Sequence, residues 1–132
     1  MLANSSKYAV KAIRYLVNNS SGTSKRSVKE IASEIEVPKP FLSKLLQQLS
    51  SRDIISSTKG PGGGFYLTDD QMQHSILNVI VEVEGKDRLK QCALNFEHCD
   101  DISPCSIHFL IAKQKEALHN AYFEIKIKDL KS

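Results

Sequence analysis

One serine, one glutamate and two prolines, all within residues 27–40, constrain this chain more than any other feature of it. Ser27-Val28-Lys29-Glu30 has the form of a capping box, in which the Ser27 hydroxyl accepts from the Glu30 amide and the Glu30 carboxylate accepts from the Ser27 N–H. A helix is therefore predicted to begin at Val28. Ile31, Ala32 and Ile35 give it an apolar stripe at helical spacing. Pro38 and Pro40 end it, because neither carries an N–H and each disfavours the α region for the residue before it. The turn falls over Glu36 to Lys39. Pro40 suits the first position of a second helix, along which Leu42, Leu45, Leu46 and Leu49 recur at i, i+3, i+4 and i+7 and turn inward. Lys39, Phe41, Ser43, Lys44, Gln47 and Gln48 are left as candidate contacts to DNA, most of them able to donate to phosphate oxygens or to base edges in a major groove.

The residues after this second helix favour a DNA-reading face over a merely solvated one. Ile54-Ile55-Ser56-Ser57-Thr58, Lys59-Gly60-Pro61-Gly62-Gly63-Gly64 and Phe65-Tyr66-Leu67 read as strand, turn and strand. The fold class expected is mainly α with a small β-hairpin wing: a winged helix-turn-helix followed by a long dimerisation helix. Lys59, Gly60, Gly62 and Gly63 at the hairpin tip join the candidate DNA contacts, since glycine lets the backbone come close to a minor groove or phosphate. A nucleotide-binding loop is disfavoured because no Gly-Lys-Ser/Thr follows and no helix starts directly after the glycines. Charge agrees with a polyanion partner for the first half. Residues 1–66 hold ten Lys/Arg against four Asp/Glu, net +6, while residues 67–132 hold eight against eleven, net −3.

Ser5 or Ser6 is expected to cap a first helix with Tyr8, Ala9, Ala12, Ile13, Leu16 and Val17 on one apolar face and Lys7, Lys11 and Arg14 on the other. After the wing, Thr68-Asp69-Asp70 is expected to open a helix containing Ile76, Leu77, Val79, Ile80 and Val83, ended by Gly85. Pro104 is expected to start a long amphipathic helix whose Ile107, Leu110, Ile111, Ala117, Leu118 and Ala121 exceed what one small core can cover. Such a helix is best buried against a second copy in a two-fold homodimer. The divisions read as 1–84, a winged helix-turn-helix; 85–105, a cysteine-containing loop; and 106–132, the dimerisation helix with a C-terminal segment in which Ile125, Ile127 and Leu130 return to the body. No apolar run approaches a membrane span and the start lacks a signal-peptide pattern, so the cytoplasm is the expected compartment.

Cys92, Cys99 and Cys105 fall within fourteen residues, with six residues between the first pair and five between the second. An odd number in a cytoplasmic chain disfavours a disulfide framework and leaves buried thiols or a metal site. His108, one helical turn after Cys105, and His98 are both possible nitrogen donors. Three thiolates and an imidazole suit either an iron–sulfur cluster or zinc, and spacing alone does not choose. No nucleotide fingerprint, paired carboxylates or activated nucleophile with its base is recognisable, so an enzyme is not expected; an iron–sulfur carrier or redox protein is the weaker alternative.

Lys7-Tyr8-Ala9-Val10, the run Lys59 to Leu67 and the three spaced cysteines together resemble the Rrf2 family of bacterial winged-helix regulators over nearly the full length. The resemblance implies a homodimeric transcriptional regulator binding a roughly palindromic double-stranded operator. It is strongest to the branch that regulates iron–sulfur cluster assembly, which implies a 2Fe-2S cluster on Cys92, Cys99, Cys105 and His108. That branch typically has five residues between the first two cysteines, where this chain has six. The family's minor-groove arginine is Lys59 here, which keeps the charge and loses the planar fork. The branch's glutamate on the recognition helix is Ser43, and the aspartate by which some nitric oxide sensors complete a cluster is Lys7. A zinc-containing or metal-free regulator sensing a small molecule or thiol oxidation is the alternative within the family.

Overall fold

The capping box forms. Ser27 Oγ accepts from the Glu30 amide at 3.1 Å and Glu30 Oε1 accepts from the Ser27 N–H at 3.3 Å, so α2 (Val28–Ile35) starts at Val28. It ends through Glu36 in the left-handed conformation, φ 57°, from where the Val37 N–H returns to the Ala32 carbonyl at 3.1 Å. Helix α3 (Lys39–Ser51) begins at Lys39, which puts Pro40 second rather than first. Either position lacks an intrahelical acceptor, so the missing N–H costs nothing. Leu42, Leu45, Leu46 and Leu49 are all buried, each worth about 1.5–3 kcal/mol of transfer free energy.

The computed structural model describes residues 2–86 and 107–132. Helix α1 (Asn4–Asn19) lies beneath the α2–α3 pair and contributes Ala9, Ala12, Ile13, Leu16 and Val17 to the core. After α3 come the antiparallel strands β1 (Ser56–Thr58) and β2 (Gly64–Tyr66), a 3-10 turn at Gln71–Gln73, α4 (Ile76–Glu84), α5 (His108–Glu124) and a second 3-10 turn at Ile127–Leu130. Ile54 and Ile55 are buried in the core ahead of β1; Asp53 is left-handed, φ 59°, and the Ile54 N–H still returns to the Leu49 carbonyl at 3.0 Å, so the strand begins only at Ser56, later than the run expected.

Helix α5 starts at His108, with Ile107 at its cap position, and not at Pro104, which lies outside the described residues; two further helix starts, those of α1 and α4, differ from expectation for a tertiary reason. Neither Ser5 nor Ser6 caps α1. Ala3 holds the cap position, and the acceptor is Glu84 from the last turn of α4: its carboxylate oxygens each lie 3.3 Å from the Ala3 N–H, and it also accepts from the buried Ser6 hydroxyl. A carboxylate at a helix N-terminus is favoured by the helix dipole as well as by the bonds. Burial first, and the Glu84 carboxylate second, push the Tyr122 phenol up from its ordinary 10.0, which places Glu84 beside α5 too. Thr68 does not open α4. Its Oγ1 accepts from the Gln71 N–H at 3.2 Å ahead of the 3-10 turn, and α4 starts only at Ile76, capped by Ser75 Oγ accepting from the Asn78 amide at 3.0 Å. Between them, buried Gln71 accepts at Oε1 from the Thr68 N–H and the Ser56 hydroxyl and donates from Nε2 to the Asp53 carbonyl and carboxylate, tying the end of α3 to β1.

The C-terminal segment is built into the same core. Ile127 is fully buried, its N–H donates to the His74 carbonyl at 2.9 Å, and the Ile125 carbonyl accepts from the Ile76 N–H at 2.8 Å. Helix α5 is different. Of the six exposed large apolar side chains among the described residues, five lie between Phe109 and Ile125, with Phe109 78% and Leu110 74% exposed.

Candidate nucleic-acid interface

Leucine packing fixes which way α3 faces. With about 100° between successive residues, the direction opposite the four buried leucines is occupied by Pro40, Lys44, Gln47 and Ser51. Lys44 and Gln47 are exposed there, while Lys39, exposed in the first turn, and half-buried Ser43 lie on one flank. Phe41 and Gln48 occupy the other flank. The Phe41 ring meets Tyr8 of α1 edge to face at 5.6 Å and 86°, and Gln48 Nε2 donates to the Glu82 carbonyl of α4 at 2.8 Å. The six helix residues selected from sequence therefore divide into an outward group and a pair turned toward the rest of the fold.

The wing is a two-stranded hairpin joined to the segment before α2 by one isolated bridge. Ser56, Ser57 and Thr58 pair with Tyr66, Phe65 and Gly64, and Arg26 bridges the other edge of β2, its N–H donating to the Phe65 carbonyl at 2.9 Å and its carbonyl accepting from the Phe65 N–H at 2.7 Å. Gly64 makes this possible: a Cβ there would stand 2.6 Å from the Arg26 carbonyl oxygen. At the tip, Gly60 and Gly62 hold φ of 87° and 76°, and the Gly63 N–H closes the turn on the Gly60 carbonyl at 2.9 Å. Lys59 stands exposed at the start of that turn.

Lys25 and Arg26 were not singled out from sequence. Lys25 Nζ sits 5.6 Å from the centre of the Tyr66 ring, putting a second cation on the hairpin, at the end of β2 away from the tip that carries Lys59. Arg26 is held by its own bonds, Nε to the Asn19 carbonyl at 2.6 Å and Nη1 to Glu30 at 3.3 Å. A one-residue bridge has no alternation to detect, and its local sign in the sequence is the basic pair directly before the capping box. Glu30 is correspondingly held below its ordinary carboxyl value of 4.5, by the Ser27 backbone N–H first, then by Arg26 and the Ser27 hydroxyl.

Cys92, Cys99, Cys105 and the alternative donor His98 lie outside the described residues. His108 is the first residue of α5, and its side chain is likewise outside the description. Among the described residues no group of three or more His, Cys, Asp or Glu is placed to hold a metal ion, and no helix is long and apolar enough to cross a membrane.

Residues 2–132 match the family described as "Rrf2: Iron-dependent Transcriptional regulator". The chain belongs to the Rrf2 family. It is a DNA-binding transcriptional regulator of the winged-helix type. A protein of Aquifex aeolicus named as an HTH-type transcriptional regulator is 32% identical over 126 residues, which cover 94% of this chain and 86% of that one. The HTH-type transcriptional regulator IscR of Sodalis glossinidius is 28% identical over 109 residues, covering 83% of this chain and 65% of that one. In structure, the global cysteine regulator CymR of B. subtilis superposes with a TM-score of 0.77 at 18% identity, covering 98% of this chain and 95% of that one. These similarities assign an Rrf2 regulator's fold and class of function to the winged helix just described.

Proposed function

We propose that this Rrf2 regulator acts as a homodimer on a roughly palindromic operator, with an affinity set by a 2Fe-2S cluster held by Cys92, Cys99, Cys105 and His108. The donor set carries the proposal. Three thiols and two imidazoles, those of His98 and His108, lie within residues 92–108 of a chain whose family is described as iron-dependent, and four protein ligands are what such a cluster requires. When bound, the cluster supplies a group that responds to iron supply and oxidation.

The chain's own residues do the rest. Lys39, Lys44 and Gln47 on α3 enter a major groove, and Lys59 at the wing tip meets the minor groove or backbone. The exposed Phe109, Leu110, Leu118 and Phe123 support a second copy packed on α5, since apolar area of this kind is stabilised by burial in a two-fold interface. Two recognition helices in successive grooves on one DNA face stand about 34–36 Å apart. The cysteine segment is flanked by α4, which packs on α1 and α3, and by α5, the proposed dimer helix. Tying Cys92, Cys99 and Cys105 to His108 restrains how those two helices are joined, and so biases the spacing of the recognition helices between a binding and a non-binding arrangement.

Visible absorption of anaerobically purified protein, with iron and acid-labile sulfide analysis, tests the assignment. Each Cys→Ser variant should abolish or severely reduce both, and His108→Ala should leave a more labile or altered cluster. Transfer of that phenotype to His98→Ala would replace the fourth ligand. Protein that stays colourless after reconstitution and copurifies with one zinc per chain would overturn the cluster.

A further inference from the structure

The last turn of α4 is bonded to the recognition helix through one residue. Glu82 supplies one of the four terminal carbonyls that an α-helix leaves without an intrahelical partner, and Gln48 Nε2 donates to it at 2.8 Å. The Glu82 carboxylate lies 3.5 Å from Arg52 Nε at the C-terminal cap of α3. Gln48 and Arg52 are four apart, hence on one side of α3, and both polar groups address α4 instead of the outward direction taken by Lys44 and Gln47. A cation near the C-terminus of α4 is also favoured by that helix's dipole. The buried leucines set which side of α3 faces the core, and these two polar links tie that oriented helix to α4 at defined atoms.

We propose that Gln48 and Arg52 are positioning residues for DNA recognition. They clamp α3 to the last turn of α4, and they do not contact the operator. Gln47, one residue before Gln48, is thereby held at its angle to the groove.

The test uses the full chain and a duplex that the parent protein selects from a random-sequence library. Gln48→Ala should weaken binding about two- to tenfold, as for a lost hydrogen bond, while selecting the same sequence as the parent. Arg52→Ala and Glu82→Gln should each weaken it about two- to fivefold, the pair being partly exposed, and the double variant should lose no more than either single one. Exchanging the charges, Arg52→Glu with Glu82→Arg, should restore affinity. The slope of log affinity against log salt should stay that of the parent in all of them, with melting temperatures showing every variant folded.

Three results would overturn the proposal. A salt slope reduced by about 0.9 in Arg52→Ala, accompanied by tighter binding in Glu82→Gln, would make Arg52 a phosphate contact. A changed preference at one base pair in Gln48→Ala would make Gln48 a reading residue. Affinity equal to the parent in every variant would show that the clamp positions nothing.

Discussion

Gly64→Ala should loosen the wing from the body of the protein. The added Cβ would stand 2.6 Å from the Arg26 carbonyl oxygen and 2.8 Å from its carbonyl carbon, and both are backbone atoms that cannot rotate aside. Relief requires moving β2 away from Arg26, which breaks the Arg26–Phe65 pair of hydrogen bonds at 2.9 and 2.7 Å. At about 0.5–1.5 kcal/mol net for each bond the loss is about 1–3 kcal/mol. Gly64 also holds φ at 150°, a conformation L residues rarely adopt, which adds about 1–3 kcal/mol. The total of about 2–6 kcal/mol would appear in urea unfolding followed by far-ultraviolet circular dichroism as a lower midpoint at unchanged slope. DNA affinity should fall as well, because Lys59 rides on the displaced hairpin. Gly22→Ala is the control: nothing lies within 4 Å of its Cβ position and its φ needs no glycine, so its effect should stay within about 0.5 kcal/mol. A Gly64→Ala midpoint indistinguishable from that of Gly22→Ala would refute the anchored wing.

Glu84→Ala should destabilise the chain by about 1–3 kcal/mol, because the Ala3 N–H and the buried Ser6 hydroxyl lose their acceptor; thermal melting beside exposed Glu34→Ala checks this, and equal melting points would count against the long-range cap. The lowered Glu30 carboxyl gives a pH signature. Its contribution is present above the ordinary carboxyl value of 4.5 and is lost as pH falls through the lowered one, so Glu30→Gln should flatten that acid limb of the stability curve. On DNA, Lys44→Ala and Lys59→Ala should weaken binding across sequences and reduce the salt slope by about 0.9 each, while Gln47→Ala should relax base preference by about 1–3 kcal/mol; parent-like binding by all three would place the recognition surface elsewhere.

Local chemistry was legible and distant chemistry was not. Ser27 and Glu30 lie three residues apart, so both halves of the cap that starts α2 can be read from the sequence, and the leucine spacing of α3 gives its buried side directly. The cap of α1 comes from Glu84, separated from Ala3 by 81 positions, and the serines near the helix start give a local signal that the tertiary structure overrides with a carboxylate. Thr68 and Ser75 are both plausible helix caps; the intervening residues form a separate turn because Gln71 is drawn into bonds with Asp53 and Ser56. Phe41 and Gln48 share a polar-sided helix with Lys44, and their turn toward Tyr8 and Glu82 depends on where α1 and α4 pack. The exposed apolar side chains of α5 follow the same logic in reverse, since their expected cover is another chain.

Operator affinity with and without the cluster decides whether the donor set governs DNA binding. The dissociation constant for one duplex, selected by the loaded parent, should be measured anaerobically on a single preparation before and after the iron is removed with a chelator. A change of at least about tenfold, equivalent to about 1.4 kcal/mol, is expected, with no such change in Cys99→Ser. Identical constants from protein whose spectrum shows the cluster first present and then gone would contradict control of this regulator by an iron–sulfur cluster.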